Sequence, residues 1–318
     1  MSKKVLVTGG LGTIGRGLIQ ELRGRGFEVF SCDLRHSEDE VGFSLRTDVR
    51  DPAYARCDIG EFRQIERVFR QWGPFDYVYN CAAEFGRWNG EDFYEQLWRS
   101  NAVGTKNLIR LQEQQGFRLI HFSSSEVYGD WPNIMAEQVM DQYEIRQMND
   151  YAMTKWVNEM QIHNSRQQYG TESVIVRIFN TYGPGEYYSP YRSVNARFVY
   201  CALRGLPWVV FRGYSRTSTY LSDSVRTLAN IAERFVPGET YNIGGQHLHS
   251  IEELSDIVLA ATGASPSLVE YKDAEVLTTR DKRVDTSKAR DHLGHKDSVS
   301  LAEGVALTVA WMKDAYRI

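Results

Sequence analysis

Residues 4–15, KVLVTGGLGTIG, constrain this chain more than any other stretch. KVLVT reads as a short buried strand, and RGLIQELRGRG as an amphipathic helix that Gly24 and Gly26 end. Between them Gly9, Gly12 and Gly15 stand in the spacing GxxGxxG. EVFSC then forms a second strand that stops at Asp33. A strand, a crossover helix and a second strand of this length make a right-handed βαβ unit with parallel strands.

Glycine removes the Cβ, so the backbone can turn tightly and approach a pyrophosphate. The helix N-terminus then offers unpaired N–H groups and a partial positive charge. Asp33 is placed to accept hydrogen bonds from the ribose hydroxyls of an adenine dinucleotide, and its charge repels a 2′-phosphate. The expected cofactor is therefore NAD, although Arg35 and His36 behind Asp33 offer charge to a 2′-phosphate. Asp58 and Ile59 are expected at the adenine, with a helix cap for residues 60–71 as the plainer role of Asp58.

The alternation of strand and helix continues through FRQIERVFRQW, DYVYNCAA, a helix over 101–116, RLIHFSSS, a helix over about 148–168 and SVIVRIFN. This pattern predicts an α/β fold: a doubly wound parallel sheet of the Rossmann type with helices on both faces. Residues 34–57 are the least legible, where Asp48, Asp51 and Pro52 suggest turns and a short extra strand. After about residue 180 the rhythm changes to the irregular, tyrosine-rich YGPGEYYSPY, and helices are expected near 194–204, 222–234, 250–263 and 300–315. The expected division is a NAD-binding domain over 1–180, with 219–245 returning to it, and a smaller C-terminal α/β substrate-binding lobe over 181–318.

With 318 residues, of which 42% are hydrophobic and 25% charged, the chain can bury a large core without disulfides. Cys32, Cys57, Cys81 and Cys201 form no CxxC pair and read as reduced thiols, and no metal site is expected. A net charge of −4 argues against a nucleic-acid or membrane-surface partner. The apolar run after Lys3 and Lys4 is too short for a signal peptide, so a cytoplasmic location is expected.

Tyr151 and Lys155 form YxxxK on a helix, which places them on one face. An ammonium beside a phenol favours the phenolate, which can take the proton of a sugar hydroxyl while hydride leaves the same carbon. In SSSEVYG, Ser124 is the expected hydroxyl beside Tyr151, Ser125 and Glu126 are expected to face substrate, and Ser123 to be structural. The plainer reading of Glu126 is a solvated loop residue. Asn101 reads as a helix N-cap that also supports the cofactor region.

Together these motifs resemble the extended short-chain dehydrogenase/reductases, within them the NAD-dependent nucleotide-sugar epimerases and dehydratases. The landmarks are TGGLGTIG, Asp33, DI at 58–59, NCAA at 80–83, NAVGT, SSSEVYG, YAMTK, RIFNTYGPG, RTSTYLSD, YNIGG and VDTSKARDHLG. The resemblance implies tightly bound NAD, oxidation at C4 of a nucleotide-diphosphate sugar, and a homodimer. It implies catalytic roles for Ser124, Tyr151 and Lys155, with Ser125 and Glu126 beside them. It implies cofactor contacts from Gly9, Gly12, Thr13, Ile14, Gly15, Asp33, Asp58, Ile59, Cys81, Ala82, Ala83 and Asn101, together with Tyr151 and Lys155. Substrate contacts are expected from Glu84, Asn180, Arg192, Arg197 and Arg216, with Tyr187 and Tyr191 as looser candidates. A surface salt bridge is the plainer role of Arg216, and lobe packing that of the tyrosines.

The residues after Ser124 bear on the net reaction. Ser125-Glu126 lacks the Asp-Glu of glucose-type 4,6-dehydratases and is similar to the pattern of UDP-glucuronate decarboxylases and of GDP-mannose 4,6-dehydratases, while FNTYGPG looks decarboxylase-like. YAMTK and NCAAEFGRWNGED depart from that decarboxylase pattern. The first expectation is 4-epimerisation, which needs no acid beyond Tyr151. Dehydration, decarboxylation and net 4-oxidation stay open as alternatives. So do an NAD(P)-dependent reductase of a small carbonyl compound and, more distantly, a non-catalytic NAD-binding protein.

Overall fold

The computed structural model describes residues 2–35 and 51–318. Strand β1 (Lys4–Thr8) runs through the glycine loop into α1 (Thr13–Gly24), and β2 (Glu28–Asp33) follows. Then come β3 (Tyr54–Arg56), α2 (Phe62–Trp72), β4 (Tyr77–Asn80), the short helices α3 (Arg87–Asp92) and α4 (Tyr94–Trp98), and α5 (Gly104–Gln115). A π-helical turn, Arg99–Val103, joins α4 to α5. The first half closes with β5 (Arg118–Ser124), a 3₁₀ turn over Ser125–Tyr128, α6 (Val139–Gln142), α7 (Asp150–Tyr169) and β6 (Ser173–Ile178). β3 is the short extra strand suggested in the illegible region; Asp48 and His36 lie outside the described residues.

Past β6 the elements shorten: β7 (Thr181–Tyr182), α8 (Val194–Arg204), β8 (Trp208–Phe211), β9 (Ser215–Thr217), β10 (Thr219–Tyr220) and α9 (Leu221–Glu233). They are followed by β11 (Thr240–Ile243), β12 (Leu248–Ser250), α10 (Ile251–Thr262), β13 (Val269–Lys272), α11 (Ser287–Leu293) and α12 (Leu301–Tyr316).

Among the described residues the main sheet has seven strands in the order β11-β6-β5-β4-β1-β2-β3. Every pairing in it is parallel. Strand residues alternate between faces with a period of two. Val5 and Val7 of β1 and Val174 and Val176 of β6 therefore meet α1, α9 and α11 through Leu18, Leu22, Leu228 and Leu293. Leu6 and Ile175 point the other way and meet α2, α5 and α7 through Ile65, Leu108 and Ile162. Because both faces are covered, the strands are apolar runs, as a doubly wound sheet requires. A separate core joins α8, α10 and α12 to β8 through Phe198, Trp208, Leu254 and Met312.

This topology places the carboxyl ends of β1, β2, β4, β5 and β6 along one edge. Order reverses there between β1 and β4, which is where open α/β sheets take their ligands. Among the described residues no helix is long and apolar enough to cross a membrane.

Candidate active site

A single cavity of about 1080 Å³ runs along that edge, and residues from both lobes line it. At its β1 end, Gly9 has φ +67, and a Cβ there would lie 2.7 Å from the backbone nitrogen of Ala82. A Cβ on Gly15 would collide with the Gly9 carbonyl. No residue with a side chain fits either position, so the loop leaves a backbone cradle at the start of α1. Asp33 ends β2 with its carboxylate taken by the loop: Leu11 N–H donates to Oδ2 at 3.0 Å, and Arg35 N–H to Oδ1 at 3.1 Å. The Arg35 guanidinium also reaches Oδ1 at 3.3 Å, and Asp33 lines the cavity. The cradle and this carboxylate fit the diphosphate and ribose of NAD, and the group supplies a hydride acceptor when bound.

Gly12, Thr13, Ile14, Asp58, Ile59, Cys81, Ala82, Ala83 and Glu84 also line the cavity. Asp58 is not a helix cap. The N-cap of α2 is Glu61, and Asp58 instead accepts Gly60 N–H at 2.8 Å and pairs with Arg99 at 3.3 Å. Asn101 is neither an N-cap nor part of the cavity wall, because the π-helical turn carries it inside the helix. Its buried amide clamps the Glu84 backbone, accepting from N–H at 2.8 Å and donating to the carbonyl at 2.9 Å. Thus it shapes the strand-end loop without touching the cavity.

β5 and α7 bring the catalytic candidates together. Asn149 caps α7 by accepting Ala152 N–H at 2.8 Å, which fixes Tyr151 in the first turn and Lys155 one turn later. Ser124, at the end of β5, lines the cavity with Tyr151, and its hydroxyl favours the phenolate. Lys155 does not touch the phenol: its Nζ donates to the Phe122 carbonyl at 2.7 Å and lies 5.8 Å from the Tyr151 ring centre. The expected lowering of the phenol is therefore reversed in the chain itself. Burial pushes Tyr151 up to about 12 against the opposing pull of the Ser124 hydroxyl, and burial pulls Lys155 down to about 8. A bound NAD would add the positive charge of its nicotinamide, which favours the tyrosinate. Ser123 is structural, its hydroxyl bonded to the buried Glu159.

Glu126 is not solvated. It faces the cavity and forms an ion pair with Lys282, whose side chain is 2% exposed. Burial pushes the Glu126 carboxyl up, but Lys282, Arg87 and Arg216 together hold it below the usual carboxylate range. Burial in turn brings Lys282 down to about 8. Arg87 comes from α3 and pairs with Glu275 of the other lobe at 2.8 Å.

Arg216 on β9 is buried and, among the described residues, makes no salt bridge. Its guanidinium donates to the carbonyls of Ser215 and Arg280 at 2.8 and 2.9 Å and to Thr278 Oγ1 at 3.2 Å. Asn180, Arg192, Arg197 and Tyr191 line the cavity. Asn180 holds a left-handed backbone (φ +28) while its carbonyl accepts Thr219 N–H. Tyr187 packs on Trp311 in the second core and does not line the cavity. Sequence reading missed Arg87, Thr278 and Lys282. They carry no motif, and only the folded chain brings Arg87 and Lys282 to Glu126 and Thr278 to Arg216.

Comparison with known proteins agrees with this geometry. The family model described as "NAD dependent epimerase/dehydratase family" matches residues 5–244. UDP-glucuronic acid decarboxylase 1 of Xenopus tropicalis is 27% identical over 326 residues, covering 98% of this chain and 72% of the relative. An epimerase of Methanothermobacter thermautotrophicus superposes with a TM-score of 0.88 at 27% identity, over 99% of this chain and 94% of the other. UDP-glucose 4-epimerase of Thermus thermophilus, solved with NAD, superposes with a TM-score of 0.85 at 26% identity, over 98% and 99%. The chain belongs to the NAD dependent epimerase/dehydratase family, and NAD is its cofactor.

Proposed function

We propose that the chain oxidises C4 of a nucleotide-diphosphate sugar and then changes the sugar at C5 before hydride returns to C4. The observation that carries this reading is one cavity holding the Tyr151–Ser124 pair between a dinucleotide cradle and the buried Arg216. Arg216 and Asn180 suit the nucleotide diphosphate, since a guanidinium binds phosphate oxygens bidentately. Ser124 orients the sugar hydroxyl, and Tyr151 takes its proton. Lys155 holds positive charge beneath both groups.

Glu126 and Lys282 set the step that follows. Inversion at C4 needs only Tyr151 and room to turn, which leaves this buried pair without a task. The favoured reading is decarboxylation of a uronate. Once C4 is a ketone, the C6 carboxylate is a β-keto acid: the C5–C6 bond breaks with its electron pair drawn into the C4 carbonyl, carbon dioxide leaves, and the resulting enolate takes a proton from water at C5, which restores the C4 ketone for the returning hydride. Lys282 and Arg87 offset the charge of Glu126, so a second carboxylate can enter beside it. The ionised Glu126 is a poor donor to a departing C6 hydroxyl, as dehydration requires. UDP-glucuronic acid decarboxylase 1 is among the relatives. Dehydration is the second reading, favoured because an ionised carboxylate touching an ammonium is also a base and an acid placed together.

Mass spectrometry of the products from UDP-glucuronate and UDP-glucose tests this. Loss of carbon dioxide from the uronate supports decarboxylation, and loss of water from the hexose supports the second reading. An unchanged mass with C4 inverted returns the assignment to epimerisation. A cytoplasmic homodimer is proposed with it, on the family resemblance.

A further inference from the structure

Behind the cavity, a run of buried hydrogen bonds crosses the sheet from the loop after β4, and its direction can be read. Thr8 Oγ1 accepts Ala82 N–H at 3.3 Å, so its own proton goes to Asn80 Oδ1 at 2.8 Å. The Asn80 amide nitrogen then meets Thr105 Oγ1 at 3.1 Å and His121 Nδ1 at 3.2 Å, and donates to both. A ring nitrogen that accepts carries no proton, so the His121 proton sits on Nε2. Burial and the Lys155 ammonium keep the ring neutral by holding its pKa well below the usual histidine range. The run therefore ends on a donor, His121 Nε2–H. That atom is buried and has no hydrogen-bond partner among the described residues.

Asn158 of α7 is in the same state: it is 0% exposed, and neither its Oδ1 nor its Nδ2 has a partner among the described residues. The helix runs back along β5, which fixes the level of Asn158. Lys155 Nζ reaches the Phe122 carbonyl, Ser123 bonds Glu159, and Leu119 shares a core with Ile162. Residues 119, 121 and 123 of β5 face α7 together. Asn158 lies between Lys155 and Ile162 on the helix, so it stands at the level of His121 in the same layer. Buried polar groups left unpaired are costly, so something polar belongs between them. A cation would meet the N–H donors of both residues, and an anion would meet the Asn158 carbonyl oxygen. A small neutral group that both donates and accepts satisfies all three atoms, and water is that group.

We propose that His121 and Asn158 enclose an internal water site between β5 and α7, one turn behind Lys155. The water accepts from His121 Nε2–H and donates to Asn158 Oδ1, and it completes the run from Ala82 to the catalytic helix. It sets the distance of α7 from β5 at that level, so His121 and Asn158 are positioning residues for Tyr151 and Lys155 that touch neither cofactor nor sugar.

A crystal structure that resolves ordered water should show density within hydrogen-bond distance of both His121 Nε2 and Asn158 Oδ1. Nitrogen NMR of the histidine-labelled parent should find the His121 proton on Nε2. Asn158→Leu keeps the volume and strands the His121 donor, so its unfolding constant in urea should rise about tenfold or more. His121→Phe with Asn158→Leu makes the pair apolar and should recover part of that loss. In Asn158→Leu, NADH formation at the first turnover should fall about tenfold with the Kd for NAD within about twofold of the parent. Dry space between the two side chains, or a His121 proton on Nδ1, overturns the water site, and both are read on the parent chain even where a variant fails to fold. Asn158→Leu as stable as the parent overturns it too. Normal NADH formation in Asn158→Leu overturns the positioning role. This kinetic readout rests on the proposed C4 oxidation: a parent that forms no NADH counts against that reading, while density and tautomer still judge the water.

Discussion

Lys282 and Glu126 stand 156 residues apart in the chain, yet they form a buried ion pair at the sugar end of the cavity. Each comes from a segment fixed elsewhere. Ser124 caps the turn that carries Glu126, and Lys282 N–H donates to the Ser215 carbonyl at 3.1 Å beside β9. The pair therefore forms only when the two lobes meet.

Its pH behaviour follows from the burial of Lys282. The ammonium titrates at about 8, so the step after C4 oxidation should slow as pH rises through that value and the proton is lost. Lys282→Arg keeps the charge at every accessible pH and should move this alkaline limb upward. An unmoved limb in single-turnover measurements would take Lys282 out of the step. Lys282→Met leaves Glu126 buried without its partner and should slow the step by about a hundredfold or more while NADH still forms.

Tyr151→Phe removes the proton acceptor but none of the cradle. Formation of NADH at the first turnover should fall by about a hundredfold or more, with the Kd for NAD within about twofold of the parent. Normal NADH formation in this variant contradicts the role given to the phenol.

Asp33→Ser removes the carboxylate that accepts Leu11 N–H and repels a 2′-phosphate. The ratio of NAD to NADP affinity should fall about tenfold or more. Titration of both cofactors checks it, and an unchanged ratio places the discrimination in other groups.

Behind the catalytic strand, Arg177 and Glu159 form an ion pair at 2.7 Å with side chains 4% and 0% exposed. Arg177→Met strands a buried carboxylate and should cost about 3–5 kcal/mol in urea unfolding. A loss under about 1 kcal/mol means that the site relaxes or admits water.

The sheet was legible because both faces of its strands are buried, which turns β1, β4, β5 and β6 into apolar runs with helices between them. The glycine loop was legible because Gly9 and Gly15 occupy positions where a Cβ meets backbone. Strands such as Thr181–Tyr182 and Thr219–Tyr220 were not, since two residues carry no period. Asn101 misled because a polar residue near a helix start reads as a cap, whereas the preceding helix continues through it as a π turn. The spacing of Tyr151 and Lys155 was right, but their electrostatics were not. Spacing reports which face two residues share, while burial decides how much each charge costs. Lys282 was invisible because its partner is remote in sequence.

β11 closes the sheet beside β6, although the chain has already entered the second lobe by way of β7 and α8. A fragment cut after β6 would keep the glycine loop, Tyr151 and Lys155, yet it would expose the backbone donors and acceptors of β6 along a raw apolar margin. Such a margin invites pairing with another chain. Dissection of this protein into a cofactor half and a sugar half should accordingly yield aggregates, and exchange of sugar-binding parts between relatives has to carry the 240–243 strand with the first half.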